Sequence, residues 1–187
     1  MRQNAIAIDE RGRVLVTAQV AGGPSGVFLY DGGQWSSAAL FNQTSIAGST
    51  VRACRSIRVV GDMFYAMLDL TNGDLMIAQY DGRSWTPLVR RFDVMPDGTE
   101  LNSFFAGFAV NRKGELLYAA NANGEKVIFR GADGVNHLVY SEMTRTEDGD
   151  FFPSQNLELD LREDGTIYFS GADSADRSSI YRAVRIR

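Results

Sequence analysis

This chain holds one cysteine, one histidine and four prolines in 187 residues. A lone cysteine excludes an intrachain disulfide, and Cys54, at the entrance to a predicted strand among arginines, reads as a small packed residue. With His137 the sole histidine, no HExxH metal site can be assembled, and the serine-triad class, which depends on a histidine, is weak. Cys54 and His137 lie far apart in sequence and make no persuasive nucleophile–base pair. Apolar runs stay well short of the ~20 residues that cross a bilayer, and Arg2-Gln3-Asn4 leads into the first strand without a leader pattern. No segment carries a helical period. Excess positive charge is missing too: 19 Lys and Arg against 23 Asp and Glu leave a net charge of −4. That balance argues against sequence-independent nucleic-acid binding, which needs a basic face to release phosphate counterions. The arginines that do gather, at Arg52, Arg55 and Arg58, at Arg90 and Arg91, and at Arg182, Arg185 and Arg187, read as solvated faces.

What the chain has is repetition. Tyr30-Asp31-Gly32-Gly33-Gln34-Trp35 returns as Tyr80-Asp81-Gly82-Arg83-Ser84-Trp85, with a worn copy at Gly131-Ala132-Asp133-Gly134. Turn glycines Gly12, Gly61, Gly114 and Gly165 are spaced by 49, 53 and 51, and a second series, Gly48, Gly98 and Gly149, by 50 and 51. A period of this size filled with short strands is the mark of propeller blades. The expected fold is therefore all-β, one β-propeller domain over 1–187 with four four-stranded blades at about 4–53, 54–104, 105–154 and 155–187.

Within each unit the first strands (Ala5 to Ile8, Ser56 to Val60, Gly107 to Val110, Leu157 to Leu161) alternate large apolar with small or polar residues, which is strand period. The second strands, such as Met63-Phe64-Tyr65 and Leu116-Leu117-Tyr118, are apolar at consecutive positions and so need cover on both faces. Asp-Gly turns then join third strands to fourth strands. The fourth unit ends after its third strand, Ser179 to Val184. The ring then tolerates a short blade, or belongs to a larger propeller completed by oligomerisation. An unpaired edge at Ser179 to Arg187 could take a strand from a second copy, with Arg182, Arg185 and Arg187 as edge protection in the opposite case.

The Tyr-Asp-Gly-x-x-Trp element resembles the Asp box of sialidase-type propellers, although the tryptophan falls one residue early after Asp31-Gly32-Gly33. That resemblance implies a structural turn in which the aspartate bonds amides and the ring packs between sheets. Asn111-Arg112-Lys113-Gly114-Glu115-Leu116-Leu117-Tyr118 resembles the Asn-x-x-Gly-x-x-Ala-Phe turn of bacterial tandem-repeat proteins. Asp9 with Gly12, and Gly165 through Phe169, are weaker copies. This second resemblance implies a repeat architecture and an exported, surface-attached bacterial protein, and it carries no catalytic residue.

Candidate ligand-binding residues are Trp35 and Trp85, as aromatic platforms for sugar rings, and Asp148 and Asp150 in an acidic loop. The acidic turns (Asp69, Asp74, Asp93, Asp97, Glu100, Glu125, Glu147, Asp173 and Asp176 with the two above) are expected on one loop face. Thr146-Glu147-Asp148-Gly149-Asp150 could offer oxygens to calcium, which takes six to eight of them, but lacks EF-hand spacing. No other cofactor and no metal site is expected. Arg58 and Asp160 hold similar offsets in units two and four and are a candidate axial polar pair. The leading expectation is a non-enzymatic binding module or scaffold with a protein partner. A glycan-binding propeller is the alternative, and a carbohydrate-active enzyme with a carboxylate pair a second one.

Overall fold

Apolar side chains on both sides of a strand demand cover on both faces of its sheet, and packed antiparallel sheets supply it. The protein, a computed structural model, is described at residues 5–96, 98–132, 135–141, 145–146, 149–152, 158–173 and 178–183. Among these residues every regular element is a strand. The chain divides into two compact units, Met1–Arg91 and Phe92–Arg187, each holding two sheets.

In the first unit, β1 (Ile6–Ile8), β2 (Val14–Gln19), β3 (Ser25–Asp31) and β4 (Gln34–Leu40) pair in sequence order as the first blade. The second blade follows as β5 (Ser45–Ile46), β6 (Ser49–Val60), β7 (Met63–Leu70), β8 (Leu75–Tyr80) and β9 (Trp85–Arg90). Pro87 lies on the outermost strand, where a missing amide donor costs no ladder bond inside the sheet. Between the two blades lies one buried cluster, with Leu15, Val27 and Leu29 from the first packed with Ile57, Phe64 and Tyr80 from the second.

A buried ion pair fastens one end of this contact. Arg13 donates through Nε to Asp9 at 2.6 Å, and through Nη2 to the Asp62 carbonyl at 2.5 Å in the next blade. Its guanidinium stands 5.5 Å from the centre of the Phe64 ring. Gly82 is required beneath it, because a Cβ there would lie 2.5 Å from Arg13 Nη1, and its φ of +99° disfavours any other residue.

In the second unit, β10 (Leu101–Val110), β11 (Leu116–Ala122), β12 (Glu125–Ala132) and β13 (Val135–Ser141) form the third blade. The fourth has β14 (Arg145–Thr146), β15 (Gly149–Phe152), β16 (Leu159–Leu161), β17 (Ile167–Asp173) and β18 (Ser178–Ala183). Leu117, Ile128 and Tyr140 of the third blade pack with Leu161, Ile167 and Phe169 of the fourth. The polar fastening here uses other chemistry: Glu115 accepts from Arg130 Nη2 and Asn111 Nδ2, each at 2.6 Å. Asn111 Nδ2 also reaches the Arg162 carbonyl at 3.2 Å, and the Arg112 amide donates to Glu163 at 2.8 Å.

In the second and third blades the first strands begin earlier than their alternation predicts. β6 starts at Ser49 and runs 12 residues, and β10 starts at Leu101 and runs 10. Bulges conceal the pattern. Val51 faces Leu70 while Ala53 faces Asp69, and Cys54 faces Leu68 while Ser56 faces Met67, so Arg52 and Arg55 are each an extra residue. Burial on β6 consequently runs in threes, with Val51, Cys54 and Ile57 inside and Arg52, Arg55 and Arg58 outside. The second glycine series marks a small turn ahead of these strands. Gly48, at φ +85°, closes the hairpin that pairs Ile46 with Ser49, and Gly98 closes the turn from Met95 to Thr99.

Two outcomes test these contacts. Phe64→Ala removes a fully buried ring at the blade contact, and urea unfolding is expected to show a loss of about 3–5 kcal/mol; a loss below ~1 kcal/mol would contradict the packing. At Glu115, burial raises the carboxyl's pKa, but the bonds from Asn111 and Arg130 outweigh it and hold the group below the ordinary glutamate range. The stability this carboxylate contributes is therefore present above that range and is lost as pH falls through its folded value. Glu115→Gln is expected to lower the urea midpoint at neutral pH and to shrink its further decline on acidification; an unchanged acid profile would show that Glu115 does not carry it.

Candidate functional site

The bulges on β6 create the most distinctive polar surface of the first unit. On a regular strand, residues 52, 55 and 58 alternate between faces, since side chains repeat every two residues. Each extra residue shifts the register by one and returns the next arginine to the same side. Arg52 and Arg55 then share one carboxylate. Arg55 Nε donates to Asp69 Oδ1 at 2.8 Å, and Arg52 Nη2 lies 3.9 Å from Asp69 Oδ2. Asp69, opposite Ala53 on β7, is buried, whereas the two arginine side chains are 55% and 41% exposed and open to a ligand.

Neighbouring loops close in on this corner. Arg91 Nη1 donates to the Gly73 carbonyl at 3.2 Å, and Arg90 Nη1 reaches the Ala47 carbonyl at 3.4 Å. The loop carrying Asp74 is shaped by its own side chains: Asn72 donates to Asp74 at 2.6 Å and accepts from the Asp74 amide at 3.1 Å. Between the arginines, Cys54 turns inward. Burial, chiefly, pushes its thiol up to about 12, with a backbone hydrogen bond at Ser56 opposing the shift and the Asp69 charge adding to it. The thiol therefore stays protonated near neutrality and is no nucleophile there.

The third blade builds the same corner without charge. Ser103 stands opposite Asn121 as Ala53 stands opposite Asp69, and Asn121 Nδ2 donates to Ser103 Oγ at 2.8 Å. The repeated backbone does not need a charged group at this place.

The two tryptophans part company. Trp85 is half-buried against the blade contact, stacks on Tyr80 at 4.7 Å, and donates through Nε1 to the Ala38 carbonyl at 2.9 Å. Ala38 is itself the extra residue of a bulge on β4. Trp85 thus joins two sheets and is not the exposed sugar platform weighed as the alternative for it. The turn before it is ordered by Asp81, which accepts from the Arg83 amide at 2.7 Å and the Ser84 amide at 2.8 Å; these bonds hold its carboxyl below the usual range. Trp35 is 60% exposed, tilted against Tyr30 at 5.1 Å.

Arg58 is exposed and donates to the Ile57 carbonyl at 3.2 Å, while Asp160, in the other unit, accepts from Arg162 Nε at 2.8 Å. Exposed His137 lies on the outer strand of the third blade. Asp97, Glu147, Asp148, Asp176, Arg185 and Arg187 fall outside the described residues, as do the side chains of Asp150 and Asp173. The calcium reading of the Thr146–Asp150 loop goes with them. Among the described residues no three His, Cys, Asp or Glu side chains converge as metal ligands. Sequence reasoning noticed Arg52 and Arg55 but set them aside as solvated. The signal that identifies them is the three-residue step of both the apolar series Val51, Cys54, Ile57 and the arginines.

No protein-family model matches the chain, and no curated sequence matches it. Solved structures do. The AofleA protein of Arthrobotrys oligospora is 12% identical over 97% of this chain and 53% of its own, with a TM-score of 0.50. A Trypanosoma rangeli sialidase, in complex with the inhibitor DANA, is 16% identical over 97% of this chain and 36% of its own, also at 0.50. The fucose-recognising lectin of Aleuria aurantia, described as a six-bladed β-propeller, is 10% identical over 92% and 52%, at 0.46. The chain spans about half the length of the fungal proteins it resembles. The fold is all-β and of the β-propeller class, as the repeat implies.

The sealed thiol gives a direct check on the corner. Native protein is expected to resist alkylation at mildly alkaline pH, whereas the guanidinium-unfolded chain reacts at the rate of a free thiol. Prompt labelling of the native protein would show Cys54 facing the arginine side.

Proposed function

We propose that this protein is a carbohydrate-binding β-propeller module whose ligand is a saccharide bearing a carboxylate, held by Arg52 and Arg55. The observation that carries the reading is the charge of the second-blade corner: Asp69 orients two half-exposed arginines where the third blade has a neutral Ser103–Asn121 pair. A charged group that the repeat does not require points to a role beyond holding the sheet together. Guanidinium groups present planar, parallel donors that match a carboxylate, and such charge-assisted bonds are about twice as strong as neutral ones. Asp69 restrains the arginines before any ligand arrives, which lowers the ordering cost of binding. The fold neighbour at a TM-score of 0.50 that is named as a sialidase makes sugar chemistry a natural setting for this scaffold.

The reading is of binding without turnover. Asp69 is committed to its arginines, Cys54 is sealed, and His137 sits exposed on an outer strand. Trp85 has no part in the contact, because its ring and its Nε1 are used between sheets.

Titration calorimetry with N-acetylneuraminic acid, glucuronate and glucose tests it. The acidic sugars are expected to bind, glucose to give no heat, and added salt to weaken the interaction. Arg55→Ala is expected to weaken binding roughly 10- to 100-fold, the range set by losing a hydrogen bond of about 1.5–3 kcal/mol to a charged group. Ser103→Ala should leave it unchanged. No binding of either acidic sugar, or binding that survives Arg52→Ala with Arg55→Ala, would refute the assignment.

A further inference from the structure

Two blade contacts, one in each unit, use equivalent residues. Strand registers align them: Leu15 with Leu29 in the first blade corresponds to Leu117 with Arg130 in the third and to Tyr168 with Arg182 in the fourth. Within each unit the earlier blade accordingly presents a receiving side, which carries these positions, and the later blade a covering side, which packs onto it. Ile57, Phe64 and Trp85 cover the first blade. Leu161, Ile167 and Phe169 cover the third.

The equivalent side of the first blade is exposed. Ile6 is 61% exposed, Ile8 and Trp35 are 60% exposed, and Phe28 and Tyr30 beside them are only half-buried. These positions correspond to the second-blade side that is sealed, where Ile57 is 4% exposed. A contiguous apolar surface of this kind marks an interaction site. The receiving side of the fourth blade is bare as well. Ile180, in the place of the fully buried Val27, is 80% exposed. Arg182 is exposed in the place of Leu29. An arginine there is compatible with a covered blade, because Arg130 holds the equivalent position in the third and lies 3.1 Å from where a Cβ on Gly165 of its cover would sit. Gly12 of the first blade, the counterpart of Gly165, has open space around that position.

We infer that the first blade of one copy seats on the fourth blade of a second copy, repeating between chains the contact seen twice within them. Ile6, Ile8 and Trp35 cover Ile180 and Tyr168, and Arg182 of the second copy passes under Gly12. The contact is head-to-tail and joins different surfaces of the two copies. It is a packing of sheet faces, distinct from strand addition at the edge of β18.

Light scattering on the full chain over a range of concentrations tests this. Wild type is expected at the mass of two or more copies. Ile8→Asp and Ile180→Asp, both at exposed positions, are each expected to weaken association and keep the wild-type circular dichroism. An equal mixture of the two variants retains one intact pair of surfaces and should associate more tightly than either variant alone. A wild type that is monomeric at every concentration overturns the inference. Association that persists unchanged in Ile180→Asp overturns it too, in favour of two first blades meeting face to face.

Discussion

Burial of one sheet face against the next is the interaction on which everything else here depends. At about 25 cal/mol per Å² of apolar surface, a face lined by Phe64, Ile57 and Trp85 contributes substantially only when another sheet excludes water from it. A four-stranded blade with large side chains on both sides has no such gain alone. The repeat follows from this, because within each unit one sheet supplies the surface that the other covers. The charged groups at the contacts are paired: Arg13 with Asp9 in one unit, Glu115 with Arg130 and Asn111 in the other.

Repetition also separates structural chemistry from the rest. The fastening of one blade to the next recurs in both units with different residues, so its task is to satisfy buried polar atoms at a fixed location. Trp85 belongs to the same class, since its Nε1 binds the carbonyl of the Ala38 bulge. Among the described residues the charged corner of Arg52, Arg55 and Asp69 does not recur, and the third blade manages with serine and asparagine. Departures from the repeat are where function is to be sought in such a chain, because packing alone would have preserved the pattern.

Much of the fold could be read in advance. Glycines at regular steps marked the turns, since Gly12, Gly61, Gly114 and Gly165 all adopt positive φ. Consecutive apolar residues in β7 and β11 announced sheets covered on both sides. The innermost strands were read too short because bulges at Arg52 and Arg55 break the two-residue alternation by which a strand is recognised. The same bulges hid the candidate site. Arginines three apart look like a scattered solvated series until the register is known, and the shared Tyr-Asp-Gly-x-x-Trp motif does not distinguish the exposed ring of Trp35 from that of Trp85, which joins two sheets.

The sequence by itself determined the blade as a unit: its strand count, its turns and the double-sided apolar character that forbids it to stand alone. These are local properties, set by residue type and spacing within about 50 positions. Only the tertiary structure decided which copy of a repeated residue is covered and which is bare, and which charges meet. Those outcomes depend on what lies across the sheet face and on how many extra residues each strand absorbs, and neither is written in any single repeat.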